Sequence, residues 1–121
     1  MATSSASYHE PLDKLSPATM DYHRALVSLQ EELEAVDWYQ QRADACGDDE
    51  LRAILLHNMR EEIEHASMLL EWLRRHHPDF DRCLRTYLFT TQRIVELESN
   101  GEAAAVPPSP RAFTIGSLRD A

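Results

Sequence analysis

Glu61-Glu62-Ile63-Glu64-His65 lies in the middle of a segment with helical periodicity and decides how the fold is read. At about 100° per residue, Glu62 and His65 point to the same side of a helix. They fall within its apolar stripe, which comprises Leu51, Ile54, Leu55, Asn58, Leu69, Trp72 and Leu73. A carboxylate and an imidazole there are costly to bury unless they are paired or bound to a metal. Oxygen and nitrogen donors without a thiolate suit iron or manganese better than structural zinc.

The composition limits the classes of partner and the location. The chain has 121 residues, and 12 basic against 21 acidic side chains give a net charge of −9. This length suits one domain, and the charge argues against nucleic acid or an anionic membrane as partner. We see neither a membrane-spanning apolar run nor a secretory signal, so we expect a cytoplasmic protein. Cys46 and Cys83 have no ligand spacing and are interpreted as free thiols.

Start and stop signals predict two long helices and a third, shorter one. Ser16-Pro17 predicts the start of a helix that runs to about Ala45, and residues 46–49 break it. Gly47 is a candidate stop and Asp48 a cap for a second helix, which ends near His76 before Pro78. The short loop between these helices predicts an antiparallel hairpin. The third helix is predicted over residues 78–98.

Four segments follow from these patterns. Residues 1–14 are small and polar and predict a mobile N-terminal segment, and 15–98 form the all-α domain. Residues 99–111 are rich in Ala, Pro and Ser and predict a semi-rigid linker. Residues 112–121 form a tail that is either frayed or a docking peptide for a partner. Its apolar positions lie within Phe113-Thr114-Ile115-Gly116-Ser117-Leu118-Arg119.

The first helix offers a further carboxylate to the predicted site. Glu32 lies at the edge of its apolar face, and Tyr39 lies two turns further along the same side. The hairpin therefore brings Glu32, Glu62 and His65 inward. On spacing alone, Glu32 could instead be a solvated flank residue and Glu62 the partner of an arginine.

The number of ligands favours a metal site shared between two chains. Ferritin-like di-iron bundles take a Glu from each of two helices and a Glu-x-x-His from each of the other two. This chain carries one of each, so it has half of a four-helix bundle and half of a site. A twofold homodimer would bury both apolar faces and complete the ligand set. We therefore expect two irons per dimer.

Two acidic side stripes are weaker candidates for metal binding. Glu31 and Glu34 lie beside Trp38 on the opposite face of the first helix, and like charges at that spacing repel unless a cation separates them. The alternative is a solvated acidic face. On the second helix, His57, Glu61 and Glu64 form a similar stripe that could hold a peripheral metal.

The chain resembles the encapsulated ferritins. The resemblance is carried by the runs 31–39, 61–65, 70–75 and 84–89 and by the tail 113–119. It covers residues 12–90 as well as the tail, which is similar to the peptides that load cargo into encapsulin shells. Many such tails begin with Leu, whereas this tail has the apolar Phe113 and Ile115.

The resemblance implies a ring-shaped homodecamer, a pentamer of dimers, with ferroxidase activity inside an encapsulin nanocompartment that stores the iron. It implies that Glu32, Glu62 and His65 of two subunits hold two irons, with Tyr39 beside them. It also implies that Glu31, Glu34 and Trp38 form the site at which iron enters. Two alternatives remain open: a rubrerythrin-like protein that reduces peroxide, and a non-catalytic helical dimer or adaptor.

Overall fold

The computed structural model describes residues 7–99, and this part of the chain is helical with no strand. The helices are α1 (Pro17–Ala45), α2 (Asp49–His76) and α3 (Pro78–Tyr87), with short 3-10 turns at Leu12–Lys14 and Ile94–Glu96. The chain divides after Trp72 into two compact units. The tail and most of the linker lie outside the described residues.

The predicted bounds of the two long helices are confirmed, and local hydrogen bonds explain them. The hydroxyl of Ser16 accepts the N–H of Thr19 at 3.1 Å, and Pro17 occupies the first turn, where its missing N–H costs nothing. At the start of α2, Oδ2 of Asp48 accepts the N–H of Leu51 at 2.8 Å. These caps satisfy amide groups that have no partner within the helix.

Gly47 does not act as the left-handed helix stop that its position suggested. No described glycine has a positive φ, and the helix is closed instead by Cys46, which adopts an extended conformation. The N–H of Cys46 donates to the carbonyl of Ala43 at 3.3 Å. The turn is also tied by Arg52, whose Nη2 donates to the carbonyl of Cys46 at 2.6 Å.

Within the first unit, α1 and α2 form the predicted antiparallel hairpin. The rings of Tyr22 and Trp72 meet edge to face, with centroids 6.2 Å apart. Further along α1, Glu32 meets His65, which lies earlier in α2. Residue numbers thus rise on one helix as they fall on the other, and this ordering places the carboxylate of α1 beside those ligands of α2.

The hairpin buries little apolar surface within one chain. The buried residues of the first unit are small: Ala25, Ala43 and Ala66. Several large apolar side chains of the two helices remain exposed, namely Leu26, Leu33, Leu51, Ile54, Ile63 and Met68. An apolar surface of this kind is typical of a chain that packs against another protein.

The second unit corrects the prediction for the third helix, which ends at Tyr87 rather than near Glu98. The N–H of Leu88 makes the last helical bond, to the carbonyl of Leu84 at 2.9 Å. Phe89 then adopts a φ of 60°, which a right-handed helix does not allow. Chain direction therefore changes here, and helical structure resumes only at Ile94.

None of the helices within residues 7–99 combines the length and the apolar character that crossing a membrane would need.

Candidate metal centre

The Glu-x-x-His motif of α2 is preformed by the helix itself. Glu62 and His65 are three residues apart, so their side chains lie on adjacent turns of one face. The Nδ1 atom of His65 lies 3.3 Å from Oε1 of Glu62. This contact fixes the imidazole against the helix before any ligand from α1 is considered.

The side chain of Glu32 approaches this motif from α1. Its Oε1 atom lies 3.5 Å from Nδ1 of His65. Both carboxylates are about three-quarters shielded from solvent, with exposed fractions of 25% for Glu32 and 23% for Glu62, while the imidazole is 42% exposed. The three side chains therefore converge at a half-buried position that is open on the imidazole side.

The carboxylate pair perturbs the protonation of Glu32. A hydrogen bond with Glu62 raises the pKa of Glu32, and burial and the negative charge of Glu62 raise it further. The charge and the hydrogen bond of His65 lower this pKa, but the raising effects win. Without a metal, a proton on Glu32 thus reduces the repulsion between the two carboxylates, as a bound cation would.

The pKa of His65 is also raised. Partial burial alone would lower it, because burial disfavours the charged imidazolium. The hydrogen bond to Glu62 and the negative charges of Glu32 and Glu62 outweigh this effect. The cluster therefore favours positive charge at its centre, in the form of either bound protons or a metal ion.

The donor set fits a cation of intermediate hardness. One ligand atom from each of Glu32, Glu62 and His65 lies within 4.8 Å of the other two. Within residues 7–99, no other group of three or more His, Cys, Asp or Glu side chains is gathered in this way. Two carboxylates and one imidazole, without a thiolate, match the donors that iron and manganese take in proteins. Small side-chain rotations would bring all three atoms to bonding distance from one ion.

Comparison with known proteins identifies the family. The family profile described as EncFtn-like matches residues 7–91. The chain belongs to the EncFtn-like family. The resemblance to encapsulated ferritins that its sequence indicated is thereby confirmed.

Relatives and a solved structure agree with this membership. The chain is 52% identical over 129 residues to an encapsulated ferritin-like protein from Rhodospirillum rubrum, covering 98% of this chain and 92% of that protein. It is 30% identical over 105 residues to an encapsulin nanocompartment cargo protein from Myxococcus xanthus, covering 77% and 80% of the two chains. A crystal structure of a Nitrosomonas europaea protein has 61% identity and a TM-score of 0.70, covering 72% of this chain and 96% of that one. The EncFtn-like fold is thus all-helical, with a long hairpin and shorter C-terminal elements.

Tyr39, predicted to lie beside the metals, is half-buried two helical turns beyond Glu32. The structure gives it a neighbour that the sequence analysis missed. The guanidinium carbon of Arg42 lies 5.5 Å from the centroid of the Tyr39 ring and 6.0 Å from that of Trp38. The sequence contained a signal for these contacts, because Arg42 follows Tyr39 by three residues and Trp38 by four, and side chains at these spacings are neighbours on a helix.

The remaining candidate ligands do not gather into a cluster within one chain. Glu31 and Glu34 are exposed on α1, as is Trp38 with an exposed fraction of 48%. On α2, Nε2 of His57 lies 3.5 Å from a carboxylate oxygen of Glu61, and both side chains are more than half exposed. The peripheral site and the iron-entrance site therefore stay predictions.

Proposed function

We propose that the chain is a ferroxidase that oxidises Fe(II) to Fe(III) at a di-iron site shared between two subunits. The observation that carries the proposal is the convergence of Glu32, Glu62 and His65 in a member of the EncFtn-like family. Iron is the substrate, and the protein supplies donor atoms and orientation.

The shared site follows from the number of ligands. One chain contributes two carboxylates and one imidazole, which leaves two irons short of ligands. A second copy related by a twofold axis would raise the set to four carboxylates and two imidazoles, the number found in ferritin-like bundles. The exposed apolar side chains of the hairpin would be covered by the same association. By resemblance to the encapsulated ferritins, we extend this to a ring of five dimers.

The residues of the cluster have separate roles in this reaction. Glu32 releases the proton that its environment favours. The negative charge of Glu32 and Glu62 then stabilises Fe(III) over Fe(II). His65 provides a neutral nitrogen donor, with its ring oriented by Glu62. Two Fe(II) ions give up two electrons, which convert dioxygen and two protons into hydrogen peroxide, or hydrogen peroxide and two protons into two waters.

Iron reaches the site along an acidic surface in this proposal. Glu31 and Glu34 are exposed and near one another on α1, where their negative charge would concentrate cations. The Arg42 guanidinium lies against the rings of both Trp38 and Tyr39. We assign the two carboxylates and Trp38 to the entrance and Tyr39 to the surroundings of the di-iron centre.

The tail places this activity in a compartment. Relatives named for encapsulation and for encapsulin cargo support an encapsulin shell as the partner of this chain. We propose that residues 113–119, which lie outside the described part, dock on the inner wall of the shell. The protein would then act inside a cytoplasmic nanocompartment, where the oxidised iron is stored as mineral.

An anaerobic Fe(II) titration followed by exposure to air tests the activity. We expect two irons per dimer and a rise in ferric absorbance that Glu62→Ala and His65→Ala each reduce by at least about tenfold. His9→Ala is the control, because His9 is an exposed histidine that belongs to none of the candidate metal sites. Wild-type oxidation rates in both cluster variants would refute the assignment of the site.

Two further outcomes would identify the alternatives. Turnover with peroxide as the only effective oxidant, without accumulation of ferric iron, would indicate a rubrerythrin-like peroxide reductase. A metal-free dimer that binds no iron during the titration would indicate a helical scaffold. Deletion of residues 113–121 should abolish co-purification with a shell protein and leave the oxidation rate unchanged, and retained loading would contradict the role of the tail.

A further inference from the structure

The second unit contains a cavity of about 450 Å³ that is open to solvent and separate from the metal centre. Its walls come from the last residues of α2 and from one face of α3. The lining residues are Arg74, Arg75, His76, Pro78, Asp81 and Arg85. Four of these six side chains are basic or can become so.

The basic side chains are held in place rather than scattered. Oδ1 of Asp81 accepts a hydrogen bond from Nη1 of Arg74 at 2.5 Å and another from Nε of Arg85 at 2.9 Å. One carboxylate thus holds two guanidinium groups from different helices at the same cavity. The Arg74 side chain is only 28% exposed, which further limits its rotation. Groups restrained in this way lose less entropy when a ligand binds.

The charge of the cavity is opposite to that of the chain. Three guanidinium groups against one carboxylate leave a formal charge of +2 before His76 is counted, whereas the whole chain carries −9. The helix dipole favours cations at the C-terminal end of a helix. It does not explain why arginines at the ends of two helices converge on one concave surface.

We propose that this cavity binds a phosphate group, either as inorganic phosphate or as part of a small phosphorylated metabolite. Guanidinium groups present parallel N–H donors that match phosphate oxygens, and several of them together suit a tetrahedral dianion. The volume lies within the range of small-molecule sites and exceeds what inorganic phosphate alone needs. The site is independent of iron oxidation.

Equilibrium dialysis of the metal-free, full-length protein against labelled inorganic phosphate at constant ionic strength tests the proposal. We expect saturation at one phosphate per chain and at least about tenfold weaker binding in Arg85→Gln. Arg82→Gln is the matched control, because Arg82 pairs with Asp79 on the same helix and does not line the cavity. A parallel titration with adenosine monophosphate distinguishes free phosphate from a phosphorylated metabolite by which of the two binds more tightly.

Arginine-specific labelling with phenylglyoxal gives a second test that needs no variant. Phosphate should slow the modification of Arg75 and Arg85, measured by mass spectrometry, and leave Arg24 and Arg82 unaffected. Uniform labelling with and without phosphate would overturn the proposal, as would an absence of saturable binding. Unreactive Arg75 and Arg85 in the absence of phosphate would also overturn it, because the cavity would then be covered in the assembled protein.

Discussion

The replacement Glu32→Gln should stabilise the metal-free protein while weakening its binding of metal. Two unit charges 4.8 Å apart, the upper limit for the donor atoms of the cluster, repel by about 3.5 kcal/mol at an effective dielectric constant of about 20. The carboxylates are about one-quarter exposed, so screening by solvent reduces this to about 1 kcal/mol. Gln keeps the size and an oxygen acceptor for His65, and its amide can donate to Glu62. Substitutions in a polar cluster usually lower the free energy of unfolding, whereas this one should raise it.

Thermal unfolding at pH 9, after removal of metal by a chelator, measures this effect. A high pH is chosen because the attraction between His65 and Glu32 weakens as pH rises through the raised pKa of His65, so that it masks less of the relief of repulsion. The Tm should rise by about 4 °C in Glu32→Gln. With Mn(II) at 100 times the wild-type Kd, the free energy of unfolding of the wild type should rise by about 2.7 kcal/mol, and that of the variant should rise much less.

The substitution Glu10→Gln is the matched control for this experiment. Glu10 is exposed and belongs neither to the cluster nor to the proposed entrance site, so we expect little change in either measurement. A metal-free Glu32→Gln protein that melts below the wild type would refute the reasoning. It would mean that the Glu32 carboxylate stabilises the hairpin as a hydrogen-bond partner and is not held there against repulsion.

The remaining predictions concern pH and the turn between the long helices. The pKa values of Glu32 and His65 are higher in the folded protein than in the unfolded chain, where they are about 4.3 and 6.5. Both groups therefore stabilise the metal-free protein fully at a pH below these unfolded pKa values. This stabilisation is lost as pH rises through the pKa values of the folded protein. Metal affinity should rise over the same pH range, because protons compete with the ion for the ligands. A free energy of unfolding and a metal affinity that change in the same direction with pH would contradict this. Gly47→Ala should stabilise the protein by about 0.4–1 kcal/mol in chemical denaturation. The reason is that the φ of Gly47 is not positive and no atom lies within 4 Å of an added Cβ. A loss of stability would show that the turn needs glycine. Asp48→Ala should lower the free energy of unfolding by about 1 kcal/mol, because it removes the cap of α2. Asp44→Ala is the control: Asp44 lies in the last turn of α1 and does not cap α2, so the free energy of unfolding should change little.

The sequence predicted the long helices and the convergence of Glu32, Glu62 and His65 because the relevant forces are local or follow from one tertiary contact. Ser16, Asp48 and Pro78 act within a few residues of their own position, so helix bounds could be read directly. Glu62 and His65 are brought together by helical spacing alone. Glu32 then needed only an antiparallel hairpin, which the short turn between α1 and α2 enforces.

The sequence failed where a pattern continued through a change in backbone direction. Apolar residues recur at helical spacing through Tyr87, Ile94 and Val95, which predicted one helix across the left-handed turn at Phe89. Periodicity reports which side chains share a face, and it does not report a single residue at positive φ. The basic residues in the last turn of α2 suit the helix dipole by their position alone. Their convergence with Arg85 depends on how α3 folds back, which no local pattern encodes.

The proposed dimer balances two opposing properties of the chain. Exposed side chains such as Leu33 and Ile63 favour association, because each would leave water at the interface. Association also brings two further carboxylates to the pair formed by Glu32 and Glu62, and without cations these repel. Metal removes this repulsion, so it should strengthen the dimer by the same factor by which dimerisation strengthens metal binding. If the chains form the proposed dimer, the exposed apolar surface and the incomplete ligand set are two parts of one equilibrium, and iron would shift it towards association.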